Sequence, residues 1–439
     1  MPSLTLRAGP EALAHIRERG LRPADVSVVP GASGGPKWLV LAGIDRYVIG
    51  EWLLEPRTRP LHLVGSSIGS WRMACLAQRD SRAALDRAHA AYLEQRYPHR
   101  PSPTLVSETS ARILDVLLGP AGADEILDNQ ARRLHVIAAQ CRGLTASERR
   151  YTQLAGFALM ASMNALSRRS IGLQARRVVF HAQGDASLLA HLGDLPTRHA
   201  VLTRANLAPA LLASASIPLV LDGVQVPGID GGPCRDGGLT DYHLDIDYGI
   251  DEGIVFYPHF SSQVITGWFD RSLPWRRARQ TLRRTLLVAP SPGFVASLPF
   301  GKIPDRRDFY TMDDATRIRA WQTVMSASER RSNELVRPLL DRACVPAYNN
   351  AGRSRRWRAC IGLPRRARFP CIEEAHPCHV CRVTPRQPIF PVVRSCAALR
   401  RAPVSRPRRR GCRTNSASSC VHRPTGRSRR RRPARSADT

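Results

Sequence analysis

Short apolar runs alternate with stretches of helical periodicity along the first three quarters of the chain. Residues 25–30, 59–64, 135–139, 177–181, 199–202 and 253–257 are short and rich in Val, Ile and Leu, which predicts strands. Between them, residues 10–21 place Leu13, Ile16 and Leu21 on one helical face, and 81–97 do the same with Leu85, Ala88, Tyr92 and Leu93. Further helices are expected over about 38–52, 68–77, 151–166 and 207–215. The last has Asn206 as N-cap, Pro209 in its first turn and Pro218 marking its end. Strands that alternate with helices and read as continuous apolar runs indicate an α/β fold whose mostly parallel sheet is covered on both faces. No internal repeat is visible.

The most informative segment is Gly65-Ser66-Ser67-Ile68-Gly69, which joins the predicted strand ending at Val64 to the helix beginning at Ile68. Gly-x-Ser-x-Gly between strand and helix is the context of a nucleophile elbow, with the serine hydroxyl held at the helix N-terminus. Upstream, the strand over 25–30 runs into Gly31-Ala32-Ser33-Gly34-Gly35-Pro36-Lys37. Clustered glycines let backbone N–H groups converge on one point, as an oxyanion hole requires. A phosphate-binding P-loop is excluded on detail, because Pro36 and Trp38 flank Lys37 where Gly and Ser or Thr are needed.

Downstream lie Ala213-Ser214-Ala215-Ser216-Ile217-Pro218 and Asp236-Gly237-Gly238, the latter with a competing copy at Asp230-Gly231-Gly232. Taken in order, the Gly-rich loop, Gly65-x-Ser67-x-Gly69, the 213–218 segment and Asp236-Gly237-Gly238 resemble the patatin-like phospholipases. The resemblance spans about residues 20–335. It implies a three-layer α/β/α fold and a Ser–Asp dyad without a catalytic histidine. Ser67 would be the nucleophile, Asp236 the base, and Gly34 and Gly35 the oxyanion-hole amides, with Lys37 as a supporting residue. Asp236 is preferred to Asp230 because Leu239 and Asp241-Tyr242 follow it, as in the family. Many members carry Gly-Gly-x-Arg-Gly in the oxyanion loop, where this chain has Gly34-Gly35-Pro36-Lys37.

The activity implied is hydrolysis of lipid carboxylic esters through an acyl-serine, with a lipid or acyl ester as partner and no cofactor or metal. The rival chemistry is a triad with His243 or His259 as base, both of which follow Asp236. Against it, Ser67 follows only two clear strands, and a triad hydrolase usually builds more sheet before its elbow. Cys234 is read as structural, since only Arg235 beside it would lower its pKa.

Composition divides the chain near Cys344. Residues 345–439 hold 24 Arg, no Lys and 3 acidic residues, a net charge of +21, so residues 1–344 carry only +9 of the total +30. The body, 1–344, is long enough to bury one sizeable core. The tail, 345–439, has sparse apolar periodicity, and it is expected to be disordered and basic. It has the composition that GC-rich DNA gives out of frame, which suggests a frameshift between about 335 and 350. The alternative from a different class is a nucleic-acid-binding protein acting through this tail, but aromatics for stacking are few and nucleic acid is not the expected partner. Cys378-His379-Val380-Cys381 has no second pair at zinc-ligand spacing.

Residues 1–20 lack the apolar core of a secretory signal, no run of 18 apolar residues is present, and thiols are sparse in the body. A cytoplasmic setting is expected. The basic stretch 276–284, with Trp275 and Leu282, offers a peripheral contact with an anionic membrane or else a plain solvated helix.

Overall fold

The computed structural model describes residues 4–185, 188–276 and 282–332, together with the backbone of 372–374. Among these described residues ten strands form one mixed sheet: β1 Leu4–Ala8, β2 Val26–Gly31, β3 Leu61–Ser66, β4 Arg132–Cys141, β5 Ala175–His181, β6 Thr197–Val201, β7 Cys234–Asp236, β8 Ile254–Pro258, β9 Thr285–Pro290 and β10 Ile372–Glu374. Their order is β10-β1-β9-β8-β2-β3-β4-β5-β6, with β7 pairing β4 off this path. The central block from β9 to β4 is parallel throughout, while β1 with β9, β4 with β5 and β4 with β7 are antiparallel. The fold is α/β with a mostly parallel sheet.

Both faces of the central strands β2, β3, β8 and β9 are almost wholly buried, which is why they read as apolar runs rather than as alternating patterns. Val29, Leu63, Val136 and Phe256 point into one core, shared with Met73 and Leu76 of the helix Ile68–Ala77. Val28, Val64, Ile137 and Val255 point the other way, against Leu188, Leu244 and Tyr248. All ten residues of Ile68–Ala77 are buried, so this helix is held on every side.

Several elements differ from the sequence expectation. The single helix expected over 38–52 is broken into 3-10 turns Gly35–Leu41 and Trp52–Leu54, a short α turn Ala42–Ile44 and a π turn Asp45–Ile49. Gly35 takes a left-handed φ of 55° and Pro36 has no N–H to donate, so the segment opens as a tight turn. The helix from Ser81 stops at Leu93, where the guanidinium of buried Arg317 donates to the carbonyls of Leu93 and Gln95. β1 precedes β2, so three strands rather than two come before Ser67.

No helix among the described residues is long and apolar enough to cross a membrane. Within the basic stretch 276–284, residues 277–281 lie outside the described residues. Arg276 approaches Asp270 at 3.7 Å, and Arg283 and Arg284 pair with Glu11 at 2.5 and 3.0 Å. These three arginines are thus already engaged within the chain. The boundary near 344, the expected disorder of the tail and the Cys378–Cys381 cluster lie outside the described residues. Only 372–374 are described there, and they pair in parallel with β1.

Candidate active site

Gly31 of β2 pairs directly with Gly65 of β3, so these parallel strands end side by side. Their C-terminal ends carry the Gly-rich loop and the elbow. Ser67 is the N-cap of Ile68–Ala77 and adopts φ 57°, ψ −136°, a region rarely taken by a residue with a side chain. Such local strain persists only where the surroundings impose it. Here the imposing contact is close packing at Gly69, where a Cβ would lie 1.9 Å from the Gly31 carbonyl oxygen. The helix therefore approaches β2 as closely as a backbone allows.

The Ser67 hydroxyl donates to Asp236 Oδ2 at 2.6 Å. Asp236 ends β7 and also accepts from the Gly238 N–H, through Oδ1, at 2.7 Å. Burial pushes its carboxyl up to about 6, against opposing hydrogen bonds from Ser67 and Gly238 and the nearby charge of Arg306. A carboxylate in this condition is a stronger base than a solvated one and still ionises near neutral pH. The competing Asp230 is elsewhere, with its side chain 99 % exposed and 3.7 Å from Arg198.

The 213–218 segment holds both partners in place. Ser214 Oγ accepts from the Ser67 N–H at 2.9 Å and donates to the Ile137 carbonyl at 2.6 Å. The Ser216 carbonyl accepts the Asp236 N–H at 2.9 Å. On the far side, buried Arg235 donates to the Leu221 carbonyl at 2.9 Å and to Glu148 at 2.6 Å, anchoring β7 next to Asp236. Ser214 and Ser216 had no individual role in the sequence reading. The signal was the pair of serines in an otherwise small and apolar run.

The Gly-rich loop reaches the same point. Ser33 Oγ donates to Ser66 Oγ at 2.9 Å, and the Ser33 N–H to the Tyr242 carbonyl at 2.9 Å. Gly34 and Gly35 are partly exposed, and neither N–H has a hydrogen-bond partner among the described residues. Ile68, the residue after the elbow serine, likewise has no partner for its N–H there. A buried ion pair fixes this loop's continuation to the elbow helix: Arg72 grips Asp45 through two nitrogens, with Nε to Oδ2 at 2.6 Å. The Lys37 ammonium lies 5.1 Å from the centre of the Phe260 ring. Burial, then the charge of Arg271, brings its pKa down to about 8.

His243 and His259 stand apart from this pair. His243 Nδ1 accepts the Ile265 N–H at 3.1 Å, and His259 Nδ1 accepts the Ser261 N–H at 2.9 Å. Neither is hydrogen-bonded to Ser67 or Asp236. Burial drives His243 well below the ordinary imidazole range and His259 down to about 3. Both are packed as neutral rings, 4.3 Å apart between centroids. Cys234 is buried, and burial pushes its thiol up to about 12, which leaves it a weak nucleophile.

Neither the known family models nor the curated proteins include one that matches this chain.

Proposed function

We propose that the protein is a serine acyl hydrolase of the patatin-like type, cleaving carboxylic esters of lipids through an acyl-Ser67 intermediate. The observation that carries this reading is the 2.6 Å hydrogen bond from Ser67 Oγ to buried Asp236, made from a strained elbow at a helix N-terminus. In the forward step Oγ attacks the ester carbonyl carbon while its proton passes to Asp236. The oxyanion that forms takes hydrogen bonds from the free N–H groups of Gly34 and Gly35. The N-terminus of Ile68–Ala77 adds positive potential at the nucleophile. As the intermediate collapses, Asp236 returns the proton to the leaving alkoxide. In the second half Asp236 takes a proton from water, which attacks the acyl-serine and releases the carboxylic acid.

The proposed architecture is a three-layer α/β/α sandwich, supported by the two cores on opposite faces of the sheet. A cytoplasmic setting with access to lipid at a membrane surface is part of the same reading. It is supported by the free buried thiols of Cys75, Cys141 and Cys234.

Because the base must be ionised, kcat/KM is expected to fall on acidification with an apparent pKa near 6, set by Asp236. A pH series with a neutral p-nitrophenyl ester, repeated at two temperatures, checks this. A carboxyl limb barely moves with temperature, whereas an imidazole limb shifts clearly and would restore the triad.

Two cations flank the oxyanion loop. Arg306 runs beside Gly35, its Cγ 3.4 Å from where a Cβ would stand, and has no hydrogen bond or ion pair among the described residues. Lys37, beside the Phe260 ring and within the field of Asp305, is the other. They favour an ester that carries a phosphate or carboxylate. Arg306→Ala is expected to raise KM for an anionic phospholipid by roughly tenfold or more, the worth of one charge-assisted hydrogen bond. KM for a neutral ester should change little, and equal changes for both substrates would remove the anionic headgroup from the account.

A further inference from the structure

On the sheet face opposite the elbow helix, His62 of β3 and His135 of β4 meet Asp185, which follows β5. His62 Nδ1 lies 2.8 Å from Asp185 Oδ2, His135 Nε2 lies 3.0 Å from the same oxygen, and the two nitrogens are 3.2 Å apart. We propose that these three atoms form a binding site for one divalent first-row transition-metal ion.

Hydrogen bonds alone do not account for this triangle. Each imidazole nitrogen carries either a proton or a lone pair, and the carboxylate oxygen only accepts. If both nitrogens are protonated toward Asp185, two N–H groups face each other across the His62–His135 edge. If either is not, two lone pairs face each other on another edge. Among the described residues Asp185 Oδ2 indeed has no hydrogen bond of acceptable geometry, although two imidazole nitrogens stand within hydrogen-bond distance of it. A single cation satisfies all three lone pairs at once. Metal–ligand bonds of about 2.1 Å at right angles place neighbouring ligand atoms about 3.0 Å apart, the mean edge of this triangle.

The surroundings suit such an ion. The other carboxylate oxygen, Oδ1, is 3.6 Å from Arg133 Nη1, so Asp185 is oriented to offer one oxygen. His62 is partly exposed, whereas His135 and Asp185 are buried, which leaves a way in from solvent on the His62 side. Two imidazoles and one carboxylate select zinc, iron, cobalt, nickel or manganese over calcium or magnesium. Ser67 lies five residues beyond His62, roughly 16 Å along the strand direction, so the site is separate from the candidate active site. The ion would tie β3 and β4 to the chain just before Leu188 and Leu189, which pack on the same face. The ligands are far apart in sequence, which is why no metal site was expected from spacing.

The test uses tag-free full-length protein, stripped with a chelator and titrated with Co2+, Zn2+ and Mn2+. The expected result is one ion per chain, a d–d absorption spectrum with Co2+ and a metal-dependent rise in Tm. In His62→Ala and in Asp185→Asn the affinity should fall at least about a hundredfold. His62 is partly exposed, so its variant remains informative if His135→Ala fails to fold. A folded wild-type chain that binds none of the three ions at micromolar concentration would overturn the proposal. So would binding that survives both substitutions, since the ion would then sit elsewhere, for instance on Cys378 and Cys381.

Discussion

Ser67→Ala is expected to lower ester hydrolysis at least about 10⁴-fold while leaving the protein folded, because removing a covalent nucleophile takes away the whole acyl-enzyme route. Its hydroxyl donates one bond, to Asp236, and its backbone is held independently by Ser214 and Ser70. Alanine is also smaller than serine, so nothing must move to receive it. Comparing turnover of a p-nitrophenyl ester with circular dichroism and Tm separates the two effects. Wild-type-like turnover in a folded variant would end the nucleophile assignment.

Asp236→Asn should produce two effects of opposite kind. Turnover is expected to fall by about 10²–10⁴, the usual contribution of a positioned general base. Stability is expected to rise. Burial lifts the Asp236 carboxyl from 3.8 to about 6, so between these pH values the folded chain keeps a proton that the unfolded chain has lost. The stability this confers is complete below pH 3.8 and is lost as pH rises through 6. At pH 8 the ionised carboxylate therefore costs roughly 3 kcal/mol, and a neutral amide of the same shape relieves up to about that amount. Tm of Asp236→Asn should exceed the wild-type value at pH 8 and converge on it at pH 4. A variant that is inactive because it is less stable at pH 8 would contradict this. Asp230→Asn, on a fully exposed side chain, should leave both quantities nearly unchanged, and His243→Ala and His259→Ala should retain turnover wherever they fold.

The central strands were legible because a parallel sheet buried on both faces writes itself as apolar runs, and β2, β3, β5 and β8 begin within two residues of expectation. β4 extends well beyond the expected 135–139 because β3, β5 and β7 all pair with it, a tertiary cause that no local pattern carries. β1 and β9 were not anticipated. β1 has only five residues, and β9 emerges directly from the arginine-rich stretch, whose charges suggested a surface helix. The turns after Gly34 mimic helical periodicity in sequence, with Trp38, Leu41, Ile44 and Val48 all buried, yet Gly35, Pro36 and close packing at Gly43 break the regular ladder.

At the candidate site, the glycines and Ser67 were readable because the elbow demands specific backbone conformations. Asp236 was separable from Asp230 only through the residues that follow it. The support from Ser214, Ser216, Arg72–Asp45 and Arg235–Glu148 was not readable, since each contact joins segments distant in sequence. The His62–His135–Asp185 triangle is not readable in the sequence for the same reason.

The most direct test of the Ser67–Asp236 account is covalent labelling of the intact chain with a fluorophosphonate probe, followed by peptide mapping. One adduct per chain is expected, on Ser67, formed rapidly in the wild type, slowly in Asp236→Asn and not at all in Ser67→Ala. An adduct on a different serine, or a Ser67 that stays unlabelled in protein that still hydrolyses esters, would contradict it.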